Sequence, residues 1–146
     1  MNSAYYDANY VFKLQCAEAG SAEVSRHAAT LDVIFSAQHG RAEVASAAFR
    51  KVREGAATPA QYLAFLAQVR ADHAMGYLQW LPLTDSIIDR VEAVFSTAPA
   101  TSYLRAADAL HLASAAEHGF TEIHSNDGHL LAAAPLFGLV GVNVIP

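Results

Sequence analysis

The sequence predicts a single α/β domain in which a mostly parallel sheet is covered by helices on both faces. Strand-like segments alternate with segments of helical periodicity almost from end to end, which is the pattern of βα units. The chain has 146 residues, the usual size of one core, and 53% hydrophobic with 16% charged residues is too apolar for a disordered chain. No internal repeat, heptad run or low-complexity tract breaks the alternation, so residues 1–146 read as one domain.

Ala4-Tyr5-Tyr6 is a short strand, broken by Asp7-Ala8-Asn9 before the helical run Tyr10, Val11, Leu14. Ser21 is placed to cap a second helix reaching about Ala29, and Leu31 to Ser36 is the next strand. From Arg41 to Glu54, apolar residues at Val44, Ala45, Ala48, Phe49 and Val52 repeat with helical spacing up to Gly55. Thr58-Pro59 then caps and starts another helix, carried by Tyr62, Leu63, Leu66 and Val69 towards Gly76. Together these make a helical hairpin. Tyr77 to Leu83 is a strand whose Pro82 belongs at its end or at a sheet edge, and Thr84-Asp85 caps a helix to about Phe95. After a linker at Pro99 to Ser102, an alanine-rich helix spans Leu104 to His118 and closes at Gly119. A short strand (Thr121 to His124), a short helix from Asn126 and a final strand (Val140 to Ile145) complete the pattern.

Composition excludes several functions. Cys16 is the only cysteine, so neither an intrachain disulfide nor a thiolate zinc site can form, and a reducing cytoplasm is expected. Met1 to Asp7 lacks a basic segment followed by an apolar stretch, and no apolar run reaches the ~20 residues a membrane span needs. The net charge of −5 argues against a non-specific nucleic-acid binder. The charge is uneven, because Arg105 is the last Lys or Arg and only acidic formal charges follow it. Arg41, Arg50, Lys51 and Arg53 form the densest basic stretch, read here as the solvated face of a helix. No glycine precedes Gly20, so no dinucleotide-binding GxGxxG follows the first strand; Asn9 stands where a HAD-like phosphatase needs a second carboxylate.

In parallel α/β sheets ligands gather beyond the carboxyl ends of strands. Asp7 and Asp127 fall there, each directly after a strand, with Asn9 and Ser125-Asn126 beside them. Glu43 and Asp108 fall in the opening turns of helices, where the macrodipole favours an anion. Taken singly, each of the four is better explained as a cap or turn residue. Converging in one crevice, they would raise one another's pKa unless a cation neutralised them, and Mg²⁺ or Mn²⁺ is the natural choice for oxygen ligands. The seven histidines are dispersed, with no HExxH pair; His111, three residues after Asp108, reads as a packed or hydrogen-bonded residue. Lys13 suits either an RNA phosphate or a snorkelling role.

What the single residues leave open, a resemblance of the combined motifs addresses. Tyr5-Tyr6-Asp7-Ala8-Asn9 with Val11-Phe12-Lys13-Leu14 resembles the opening strand and helix of PIN domains. Arg41-Ala42-Glu43-Val44 resembles the second motif of the VapC toxins within that family. Arg105 to Ala113, around Asp108-Ala109-Leu110-His111, and Ser125-Asn126-Asp127-Gly128-His129-Leu130 resemble their third and fourth. The resemblance implies a three-layer α/β/α sandwich with about five strands, and a divalent metal held by Asp7, Glu43, Asp108 and Asp127 as catalytic carboxylates, with Asn9 accessory. It also implies hydrolysis of RNA to leave a 5′-phosphate, a cognate antitoxin and a homodimer. Gly128 replaces a residue that is often basic, removing one phosphate contact. A PIN-like module that binds RNA or protein without cutting, and a housekeeping nuclease, are the alternatives.

Overall fold

The computed structural model describes all 146 residues and alternates strands with helices throughout. Strands β1 (Ser3–Tyr5), β2 (Val33–Ala37) and β3 (Leu78–Leu81) pair in parallel, with Tyr5 opposite Phe35 and Phe35 opposite Gln79. Strands β4 (Glu122–His124) and β5 (Val140–Val142) form a second parallel ladder, His124 facing Val142. A parallel bridge between Tyr6 and His124 joins the two ladders, and the Asp7 amide donates to the His124 carbonyl at 3.1 Å. The result is one five-stranded parallel array in the order β3-β2-β1-β4-β5. Successive strands step one way from β1 to β3, whereas β4 returns to the other flank of β1. This switch point opens a crevice at the carboxyl ends of β1 and β4.

Seven helices cover the sheet: α1 (Ala8–Gln15), α2 (Ser21–Ala28), α3 (Gly40–Arg53), α4 (Pro59–Ala74), α5 (Asp85–Thr97), α6 (Ala106–Glu117) and α7 (Gly128–Ala133). A 3-10 turn, Ala134–Phe137, follows α7. The strand period of two divides the core. Ala4, Tyr6, Ile34 and Leu78 pack with Tyr10, Val11, Val24, Val44 and Val69 from α1 to α4. Tyr5 and Ala37 point the other way, into Ile87, Leu112, Ala113 and Leu130 from α5 to α7. The sandwich is therefore three layers, as the patterning predicts. No helix is long and apolar enough to cross a membrane.

Local chemistry explains most boundaries. Thr58 and Gln61 form a reciprocal capping box with Pro59 in the first turn, so α4 starts where the sequence predicts. Thr58→Ala removes one half of that box; a cost of about 1 kcal/mol is expected, lowering the melting temperature by roughly 2–4 °C. Calorimetry checks it.

Two expectations shift. Ser21 is already helical, and its hydroxyl donates to the Cys16 carbonyl at 2.7 Å and accepts from the Glu18 amide at 3.1 Å. It therefore fastens the α1–α2 turn, while Gly20 sits at the cap with φ 87°. A Cβ there would lie 2.5 Å from Ile145 Cδ1, the movable end of that side chain, so it is the left-handed backbone that calls for glycine. The last strand also ends early. Beyond Val142 the chain leaves the sheet for α1, because Tyr10 Oη donates to Asn143 Oδ1 at 2.7 Å and accepts from the Val144 amide at 2.8 Å.

Candidate functional site

Asp7 and Asp127 cap the two helices that begin at the crevice. Asp7 ends β1 and accepts the Tyr10 amide at 2.9 Å through Oδ1, while its Oδ2 accepts the Ser125 hydroxyl. Only 5% of the residue is exposed. Burial is the largest influence and raises the carboxyl to about 6, outweighing the hydrogen bonds from Ser125 and Tyr10 and reinforced by the charge of Glu43. Asp127 follows β4 and accepts the His129 and Leu130 amides at 2.9 and 3.3 Å, all through Oδ1. Ser125 links the pair, because its hydroxyl donates to Asp7 and accepts the Asp127 amide at 2.9 Å. Asn9 reaches across the same gap, with Nδ2 donating to Asn126 Oδ1 at 2.6 Å. The capping reading is thus right for Asp7 and Asp127, yet Asp127 keeps one oxygen free of hydrogen bonds.

For Asp108 and Glu43 the capping reading fails. Arg105 occupies the cap position of α6 without a side-chain bond, and the half-buried Asp108 carboxylate accepts no hydrogen bond. Burial raises its pKa, and the charges of Asp127 and Glu43 add to that against Arg105 and His111. Glu43, in the first turn of α3, turns its Oε1 inwards to His111 Nε2 at 2.6 Å and to His39 Nε2 at 3.3 Å. Burial alone would raise its pKa, but the hydrogen bond and charge of His111, with His39, hold it below the usual range.

His111 lies 1% exposed in α6 and meets the Tyr5 hydroxyl at Nδ1, 2.8 Å away. Burial raises the Tyr5 pKa, so the phenol keeps its proton and shares a hydrogen bond with Nδ1, while Nε2–H donates to the Glu43 carboxylate. A buried relay thus runs from β1 through α6 to α3. His39 completes it, with Nε2 donating to the Ala107 carbonyl at 3.0 Å; burial and His111 lower its pKa. Its Nδ1 is buried without a partner. Gly40 makes the packing possible, since a Cβ there would meet Ser36 Oγ, Trp80 and His111 Cε1 at 3.1 to 3.3 Å.

No Lys or Arg forms an ion pair with Asp7, Asp108 or Asp127. Lys13 is buried at the α1–α2 turn, donating to Glu18 at 2.9 Å and to the Ala19 carbonyl at 2.8 Å, so it neither snorkels nor reaches a phosphate. Arg50 pairs with Glu54 and Lys51 with Glu18, while Arg41 and Arg53 are exposed, in keeping with a solvated helix face. The crevice therefore offers oxygen donors, a buried Asp7 and carboxylates with no ion-paired Lys or Arg, a set suited to a hard divalent cation. His39, Glu43 and His111 also bring one ligand atom each within 4.8 Å of one another.

The PIN domain family model matches residues 4–135, a span that runs from β1 past α7 and contains every residue of this crevice. The chain belongs to the PIN domain family. Its fold is shared by VapC20 of Mycobacterium tuberculosis, a sarcin-ricin loop cleaving toxin, with a TM-score of 0.68 and 15% identity over 89% of this chain and 94% of that one. FitAB, solved bound to an IR36 DNA fragment, gives 0.71 and 11% over 98% and 96%. No curated protein matches the sequence significantly. Within this PIN domain, Tyr5 and His39 are the neighbours of the carboxylates that spacing did not single out, whereas Ser125 was already placed beside Asp127 by its position. His39 did carry a signal, lying one helical turn before Glu43.

Proposed function

We propose that this PIN domain is a divalent-metal-dependent endoribonuclease and the toxin of a toxin–antitoxin pair. The observation that carries the reading is the buried Asp7 carboxyl, raised to about 6, in a crevice it shares with Asp108 and Asp127 and where no Lys or Arg forms an ion pair with any of the three. Asp7, Glu43, Asp108 and Asp127 are assigned as catalytic residues that hold Mg²⁺ or Mn²⁺. Asn9 is accessory, keeping the α1 start and the β4–α7 loop in register through Asn126. Bound there, the cation supplies Lewis acidity towards the scissile phosphodiester and positive charge for the leaving oxyanion.

The chain's own residues prepare that chemistry. Ser125 ties the Asp7 carboxylate to the Asp127 backbone. His111 and His39 grip one oxygen of Glu43 and leave Oε2 without a hydrogen bond. The free carboxylate of Asp108 is oriented only by its place in α6. By analogy with the family, RNA is the substrate, an antitoxin and a second copy are the partners, and the α3–α4 hairpin is where the antitoxin docks. A groove of about 370 Å³ between those helices, lined by Val44, Leu66 and Trp80, supports that placement.

Purified protein is expected to cut structured RNA with Mn²⁺, to stop in EDTA, and to lose at least about 100-fold in rate on Asp108→Asn while its melting curve remains cooperative. Unchanged cleavage by that variant overturns the site assignment. Growth arrest on induction, relieved by a small neighbouring open reading frame, is the expected cellular result and separates a toxin from a housekeeping nuclease. Protein that binds a partner but cuts no RNA with Mn²⁺ would favour a silent scaffold.

A further inference from the structure

Beside the crevice, the segment before α6 and the start of α7 are joined by an exposed stack. The ring of Tyr103 lies on the imidazole of His129 with centroids 3.9 Å apart and planes 30° apart. Both residues are exposed, Tyr103 by 54%. The Arg105 guanidinium lies over the Tyr103 ring at 6.0 Å, at the outer edge of a cation–π contact. A large aromatic in a core clasp would be buried; Tyr103 is more than half exposed, with Arg105 only at the outer limit of contact.

Its position is tied to the carboxylates on both sides. The His129 amide donates to Asp127 Oδ1 at 2.9 Å, and Arg105 directly precedes the helix whose third residue is Asp108. Arg105 also acts on Asp108 electrostatically, opposing the rise in its pKa. It is the last Lys or Arg in the chain, and the segments that follow it carry only acidic formal charges.

We propose that Tyr103, His129 and Arg105 form a platform for an unpaired RNA base next to the cleavage site. The inference rests on the ribonuclease reading and specifies its substrate class as single-stranded or looped RNA. An unstacked base offers a π face to Tyr103 and His129, a contact tolerant of sequence, whereas a base inside a duplex has both faces covered. Arg105 keeps guanidinium donors for the phosphate beside that base. The platform thus supplies, locally, the attraction that the net charge of −5 withholds.

The test uses a decaribonucleotide of uridines with one central 2-aminopurine, either single-stranded or annealed to its complement. Binding is followed in Mn²⁺ with the Asp108→Asn protein, and parallel gels of the wild-type protein on structured RNA report cutting separately. The single strand is expected to bind with 2-aminopurine quenching, the duplex without it. Adding Tyr103→Ala is expected to weaken single-strand binding about tenfold and abolish the quench, with the melting temperature unchanged. Tyr103→Phe is expected to stay within about twofold, since the ring does the work. Unchanged binding and quenching in Tyr103→Ala, no quench at saturation, or a Tyr103→Phe loss as large as that of alanine overturns the platform. Those results leave the nuclease reading standing if the gels show cutting; absent cutting by wild-type protein sinks that reading without touching the binding result.

Discussion

Asp7→Asn is expected to abolish cleavage and, in EDTA at pH 7.5, to raise the melting temperature by several degrees. The buried carboxyl is raised to about 6, against an ordinary value near 4. Below about pH 4 it is neutral in both the folded and the unfolded chain. Between there and about 6 only the unfolded chain ionises, so stability falls as pH rises, and above about 6 the whole cost, about 3 kcal/mol, remains. Asparagine removes that cost and still caps α1, because its oxygen can accept the Tyr10 amide as Asp7 does now. The melting difference between the variant and the wild type should be largest at pH 7.5, shrink towards pH 4.5, and shrink again when Mn²⁺ neutralises the wild-type site. A variant less stable than the wild type at pH 7.5 would contradict this account. The same carboxylate that costs stability is the one assigned to the metal, a trade expected at a functional site.

His111→Ala carries the second large effect. It removes the partner of the Tyr5 hydroxyl and the donor to Glu43 and opens a cavity under α6, at a cost of about 2–4 kcal/mol. Cleavage should also require about 10- to 100-fold more Mn²⁺, because Glu43 loses the partner that orients it. Tyr5→Phe is the gentler control, since it keeps the ring among Leu112 and Ala113 and deletes only the hydroxyl. A smaller rise in the Mn²⁺ requirement with an intact melting transition is expected there. If titrating Mn²⁺ against cleavage gives the same midpoint for all three proteins, the histidine only fills space.

The elements that were legible in the sequence are those whose signal is local. Thr58-Pro59 with Gln61 three residues later, and the spacing of Val44, Ala48 and Val52, describe a cap and a helix face without reference to the rest of the chain. The α1–α2 turn and the end of β5 were not legible, because Gly20 packs on Ile145 and Tyr10 bonds to Asn143, partners more than a hundred residues apart. The same limit applied to the site. Motif order proposes Asp7, Glu43, Asp108 and Asp127, but does not separate a cap from a free carboxylate.

By itself the sequence determined the alternation of strands and helices, the identity of the acidic residues and their order along a PIN domain. The tertiary structure alone decided what each carboxylate does with its oxygens. Asp7 is held by Ser125 from 118 positions away, Glu43 by His111 from 68, and Asp108 by nothing. Spacing reports only which residues share a helix turn or a strand face. The charge a carboxylate carries and the direction it points depend on burial and on donors that the sheet's crossing at β1 and β4 brings together.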